Sequence, residues 1–264
     1  MISRRNPLWR FSGLPWITAA FFAFLYVPIF VLVALSFNSG TVATIWEGFT
    51  PDWYARVLGN PNIVRTAKNS LILASSATVL STLIATAAAV GMAGRRFRGQ
   101  NGFSGLLSLP LLVPEIVTAV ASLLFFLAIG FELSLWTVLV AHVVFCIPFA
   151  YLPIRARLEG LDPRLLEAAG DLYSSPWRAF VRVTLPLLLP GVAAGAMLAF
   201  ITSLDDFVIT FFVAGAGATT LPVYIYSMIR TGITPEVNAV SSLLLGLSVV
   251  FVTLSYLVGK RGRA

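Results

Sequence analysis

Three carboxylates stand where carboxylates are costly. Glu115, Asp205 and Asp206 fall within or at the ends of apolar runs, and those runs contain no Lys or Arg. A carboxylate at the centre of a bilayer costs roughly 2.5–3.5 kcal/mol on insertion scales unless it faces a wet cavity or a counter-ion. For an uncompensated set the natural counter-ion is a transported cation. The structural alternative is that these acids cap half-helices or are solvated near an interface. Tyr224 and Tyr226 could hold an ammonium group by cation–π contact or anchor the chain at the interface. Pro110, Pro114, Pro148 and Pro153 could expose backbone carbonyls along a pathway, or only kink the helices that carry them.

Hydrolytic chemistry is poorly served. Gly102-Phe103-Ser104-Gly105 has the form of an intramembrane serine-protease motif, and His142 is the only histidine in the chain. The apolar runs put Ser104 at one membrane face and His142 near mid-bilayer, too far apart for a nucleophile and its base. His142 and Cys146 share a helix face at i, i+4, but two such groups without a carboxylate partner make a poor metal site. Satisfied core positions are the simpler reading. No G-x-x-x-x-G-K-[ST] phosphate loop occurs, so this chain is expected to bind no nucleotide, metal or other cofactor itself.

The elements that hold these residues are transmembrane helices. Of the 264 residues, 58% are hydrophobic and 11% charged, against roughly a quarter charged in a soluble domain. So few charges cannot coat a water-exposed globule, and lipid must be the solvent for much of the surface. Apolar runs at 16–37, 70–93, 104–130, 134–154, 184–213 and 236–259 predict six membrane helices in one all-α domain spanning 1–264. Arg4, Arg5 and Arg10 precede a first run too long for a signal peptide, which reads as a retained helix. The fifth run is long and is expected to break near Asp205 and Asp206. Short outer helices are expected within 38–69 and ahead of Arg230.

Lys and Arg set the orientation. Arg4, Arg5, Arg10, Arg95, Arg96, Arg98, Arg155, Arg157, Arg164, Arg178, Arg182, Lys260, Arg261 and Arg263 fall on one side, and only Arg56, Arg65, Lys68 and Arg230 on the other. The excess marks the cytoplasmic face and puts both termini there. The net charge of +7 therefore reflects topology and not a nucleic-acid partner. One cysteine excludes a disulfide framework. The cytoplasmic segment 155–183 reads as helical around 160–177, with Asp162 as N-cap and Pro163 at the first helical position.

That segment carries the most specific signal. Glu167-Ala168-Ala169 followed by Leu185-Pro186 resembles the EAA signature of ABC importer permeases: Glu-Ala-Ala, a glycine four residues on, then Ile-x-Leu-Pro. Tyr173 stands at the glycine position, where glycine would permit a positive φ, and Val183 replaces isoleucine. Residues 203–246, from Ser203-Leu204-Asp205-Asp206 to Leu245-Gly246, and Leu112-Val113-Pro114-Glu115-Ile116-Val117 resemble the spermidine/putrescine permease subunits. Together these resemblances span most of 66–258. They imply a type I importer permease fold in a bacterial inner membrane. They also imply a second permease subunit, two ATPase subunits carrying ATP and Mg, and a periplasmic solute-binding protein. By the same resemblance, 160–186 is the segment that couples to the ATPase, through Glu167, Ala168, Ala169, Asp171, Tyr173, Pro176, Leu185 and Pro186. The pathway acid matching Asp206 would meet the ammonium groups of a polyamine. Opines and amino-acid-like solutes remain alternatives within the same fold, and a stand-alone secondary transporter is the alternative outside it.

Overall fold

The computed structural model describes residues 13–93, 98–162 and 164–261. Arg4, Arg5, Arg10, Arg95, Arg96, Pro163 and Arg263 lie outside those residues. The described residues are helical almost throughout; their only β pairing is an isolated bridge between Asn38 and Phe49.

Five helices are long and apolar enough to cross a membrane. They are α1 (Leu14–Leu35), α3 (Pro61–Met92), α6 (Leu135–Glu159), the continuous helix from Pro176 to Asp205, and α12 (Pro235–Arg261). The third expected run is not one straight helix. It divides into α4 (Gln100–Leu112) and α5 (Glu115–Ala128), bent by 108°, and makes a sixth span only if the pair crosses as one. The cause is local. Pro114 offers no N–H, and its ring drives the preceding Val113 to extended φ −84, ψ 132. Pro110, one turn earlier, stays inside α4 without breaking it.

The chain divides into two compact units. One is formed by the described residues up to Asn60 together with Met228–Leu245. Here α1 has no buried residue, and most of its apolar surface is left for lipid or another chain. The turn after it is knotted by Asn38, whose amide donates to the carbonyls of Val42 and Ile45 and accepts from the N–H of Gly40 and Glu47. The short helix expected in this outer loop is α2 (Asp52–Gly59).

The other unit holds Pro61–Ser227 and the chain from Gly246 onward. Its centre is α3 and α6 packed with α9 (Leu185–Asp205). The second expected run, 70–93, starts nine residues early in α3. Ile63, Thr66, Ser70, Leu73, Ala74 and Ala77 carry one buried stripe through both parts, while Asn62, Arg65 and Lys68 occupy other faces. Small residues let the helices touch. A Cβ on Gly195 would lie 2.5 Å from the carbonyl oxygen of Ala150, and one on Gly191 2.6 Å from Cβ of Arg157. Gly191-x-x-x-Gly195 thus presses α9 onto α6 by the small-residue packing that lipid-embedded helices use in place of a hydrophobic driving force.

Beyond α9 the fifth run breaks as expected. Asp205 ends the helix, Asp206 is extended, and α10 (Val208–Val213) packs against α5 and α6. The short helix expected ahead of Arg230 is α11 (Leu221–Thr231).

Candidate functional site

Two breaks meet at one place. Pro114 starts α5 with Glu115 as its first residue, and Asp206 lies two residues ahead of α10. The Glu115 carboxyl is within hydrogen-bonding reach of Asp206. Two carboxyls that close must share a proton or a cation, because bare charges at that separation repel. Glu115 is solvent-accessible, whereas Asp206 is only 5% exposed.

Asp206 is thoroughly bonded. Its Oδ1 accepts the N–H of Ile209 at 3.2 Å. Its Oδ2 accepts the N–H of Thr210 at 2.9 Å, the Thr210 hydroxyl at 2.9 Å, and a contact from His142 Nε2 at 3.0 Å. The acid therefore caps the start of α10, and its surroundings are donors. The histidine is fully buried, and its Nδ1 lies 2.8 Å from Ser203 Oγ. Since a carboxylate only accepts, Nε2 carries the proton. In the neutral ring Nδ1 then accepts from the Ser203 hydroxyl. Ser203, His142 and Asp206 form a Ser–His–Asp chain in connectivity only. Ser203 is buried, and no open face is left for an acyl group to reach it.

Ser104 is elsewhere, with its hydroxyl 4.0 Å from Met92 Sδ and no link to His142. Cys146 is buried and donates weakly to the carbonyl of Ala199 at 3.5 Å. Among the described residues no three His, Cys, Asp or Glu side chains gather around a possible metal position.

The other pathway candidates flank this pair. Asp205 is exposed, with the Ser248 hydroxyl near its carboxyl. The Tyr226 ring packs on Phe207 at 4.7 Å and edge-on to Phe211 at 6.2 Å, forming an aromatic wall beside the break. Tyr224, two residues earlier on the same helix, is half-buried. A cavity of about 420 Å³ opens on the inner side of the α4–α5 bend, lined by Pro110, Val113, Val117, Phe125, Phe126 and Ala141 among others. It is apolar, and Val113 and Val117 lie on either side of Glu115 in the chain.

The sequence reading missed His142 as the partner of Asp206. The signal was there: Ser203, Asp206 and Thr210 recur at i, i+3 and i+7 in an apolar run. A polar face of that kind needs a buried partner, and the chain has one histidine.

At the other end of the unit is the EAA segment. The expected helix over 160–177 is interrupted. It comprises α7 (Arg164–Asp171), a turn, α8 (Pro176–Ala179), and a π-helical stretch over Phe180–Thr184 that runs into α9. Asp162 accepts the N–H of Arg164 at 3.0 Å, as a capping residue does. Glu167, Ala168 and Asp171 are exposed, while Ala169 is turned inward and buried. The turn closes through Tyr173 N–H to the Gly170 carbonyl and Ser174 N–H to the Ala169 carbonyl. These two bonds define a Schellman cap. Tyr173 sits at its left-handed position with φ 55 and is 97% exposed. The glycine conformation persists without the glycine. Leu185-Pro186 follows the π stretch. Pro186 removes an N–H and crowds the carbonyl four residues back, and the helix widens there so that Leu185 N–H bonds Phe180 instead.

Residues 81–261 match the family described as binding-protein-dependent transport system inner membrane component. The chain is 41% identical over 241 residues to the spermidine/putrescine transport system permease protein PotC of Escherichia coli, covering 91% of each chain. It is 39% identical over 232 residues to the putrescine transport system permease protein PotI of the same species, covering 85% of this chain and 83% of the other. Among solved structures, a chain of a bacterial ABC transporter that imports the acidic polysaccharide alginate superposes with a TM-score of 0.70 at 17% identity, covering 99% and 98%. A chain of the inward-facing MetNI methionine ABC transporter gives 0.65 at 20% identity, covering 75% and 95%. The structural likenesses speak for the fold alone.

Proposed function

Because the chain belongs to the family of binding-protein-dependent transport system inner membrane components, we propose that it is the permease subunit through which a polyamine enters the cell. The observation that carries this reading is the Glu115–Asp206 carboxyl pair at the junction of two broken helices. Relatives named for spermidine and putrescine transport support the solute class. A diamine fits the chemistry: its ammonium would replace the shared proton at Glu115, and its methylenes would lie along Tyr226, Phe207 and Phe211. Asp205 and Tyr224 complete the pathway set. Asp206 contributes mainly charge from behind Glu115, since four donors already take up most of its acceptor positions.

We read residues 1–264 as one transmembrane permease domain with both termini in the cytoplasm. A second permease subunit would close the other half of the pathway, two ATPase subunits with ATP and Mg would supply the energy, and a periplasmic binding protein would deliver the solute. Residues 160–186 face the ATPase in this reading. Glu167, Ala168, Asp171 and Tyr173 present the docking surface, Ala169 ties it to the permease, and Pro176, Leu185 and Pro186 transmit the movement into α9.

The decisive substitution is Glu115→Gln. Glu115 is exposed, so the change removes charge without unsatisfying a buried donor. Uptake of radiolabelled putrescine by the assembled transporter is expected to fall about tenfold or more, with assembly intact. Wild-type uptake in that variant would refute the pathway. Asp206→Asn is a poorer probe, because its amide group would confront donors and destabilise the cap by about 1–3 kcal/mol.

A further inference from the structure

We propose that His142 is a positioning residue for the cation pathway, acting through Nε2–H on Asp206 and not through its link to Ser203. The inference rests on the reading that Glu115 and Asp206 face the solute. The geometry is specific. The ring spans α6 to the α9–α10 break, with Ser203 on one nitrogen at 2.8 Å and Asp206 on the other at 3.0 Å. Thr210 Oγ1, at 3.0 Å from Nε2, gives its own proton to the same Asp206 oxygen. Oδ2 therefore receives three donors and Oδ1 one. A carboxylate has about four acceptor positions, two on each oxygen, so the capacity left to Asp206 is on Oδ1. The imidazole is the one donor to Asp206 that comes from α6, and with the two Thr210 donors it holds Oδ2 as a charged acceptor. Without the Nε2 donor the Asp206 charge is less well stabilised, and the proton shared with Glu115 moves toward Asp206, which weakens the pair's hold on a cation.

The two amide isosteres separate the ring's two edges. The amide nitrogen of glutamine reaches where Nε2 lies, and that of asparagine reaches where Nδ1 lies. His142→Asn therefore keeps a partner for Ser203 and loses the donor to Asp206, while His142→Gln does the reverse. In proteoliposomes holding the complete transporter, His142→Asn is expected to lower putrescine uptake about tenfold, the scale of a lost hydrogen bond to a charged group. His142→Gln is expected to recover uptake to within about threefold of wild type. Equal loss in both variants would mean that the ring only fills space, and would overturn the inference. A Glu115→Gln control run beside them separates the two levels. If that variant transports normally, the pathway reading fails and takes this one with it. If it is impaired while the two His142 variants match each other, only this inference fails. A measurement on the unaltered side chain covers the case in which neither variant assembles. His142 is the only histidine, so ¹⁵N-histidine labelling of the full chain in nanodiscs reports one ring. The Nε2–H tautomer is expected, and a ring protonated at Nδ1 alone would overturn the proposal.

Discussion

Tyr173 shows how a single residue can keep a backbone state that its type disfavours. The left-handed conformation costs an L-residue with a Cβ roughly 1–2 kcal/mol relative to glycine. The Schellman bonds of Tyr173 and Ser174 hold it there, and the ring projects fully into solvent beside the exposed Leu172. An exposed ring held at that cost fits the docking role proposed for this turn. Replacing it by glycine is expected to act in two directions at once. Tyr173→Gly should relax the turn, slowing amide exchange at 170–174 by about fivefold, which corresponds to ~1 kcal/mol. The same variant should lose solute-stimulated ATP hydrolysis in the assembled transporter, since on the proposed docking the ring meets the ATPase. Faster exchange with full stimulation would contradict both halves. The departure at this position was visible in the sequence, but its consequence was not. Nothing in residue type says that six-to-one and five-to-two hydrogen bonds will hold tyrosine where glycine is usual.

Among the elements, the breaks matter more than the spans. The positions of α1, α6 and α12 follow from apolar run length alone. The bend of α4 against α5 does not, because hydropathy is continuous across Val113 and Pro114, and proline is compatible with a mere kink. The 108° turn needs the extended Val113 as well. Pro114→Ala is expected to let α4 run on toward α5 and swing Glu115 away from Asp206. Putrescine uptake should fall at least as far as in Glu115→Gln, while the far-UV helical signal stays equal or rises slightly. Unaltered transport would show that the bend is dispensable. The α6–α9 seam was equally illegible. The G-x-x-x-G pair of Gly191 and Gly195 is plain in the sequence, but not that α6 is the helix it meets. A methyl on Gly195 would sit 2.5 Å from a backbone oxygen that cannot move out of the way cheaply. Gly195→Ala should therefore cost about 1–3 kcal/mol by overpacking, seen as a lower midpoint in detergent thermal unfolding. Gly246→Ala, where a Cβ meets nothing within 4 Å, is the matched control and should leave the midpoint unchanged.

At the scale of the whole molecule the question is what drives the solute, and charge makes the usual test misleading. A dication entering a cell with 100 mV across its membrane, negative inside, gains roughly 4.6 kcal/mol, at about 2.3 kcal/mol per charge. That alone supports an accumulation of about three orders of magnitude. A stand-alone channel lined by Glu115 and Asp206 would thus concentrate putrescine without any ATP, and uptake by cells cannot tell it from a pump. The sequence holds no phosphate loop, and the EAA segment leaves Glu167, Asp171, Leu172 and Tyr173 exposed. Both observations favour a motor supplied from outside. The discriminating condition is a vesicle at zero membrane potential, clamped with valinomycin and equal potassium on both sides. There the complete assembly of permeases, ATPases and binding protein is expected to accumulate putrescine at least tenfold when ATP is enclosed on the ATPase side. This chain alone should give no accumulation under the same clamp. Glu167→Lys, which reverses charge on the exposed face of α7, should abolish the ATP-dependent accumulation while leaving any potential-driven leak as it was. Accumulation by the isolated chain at zero potential, or full ATP-driven uptake with Glu167→Lys, would remove the basis for assigning the energy to a partner.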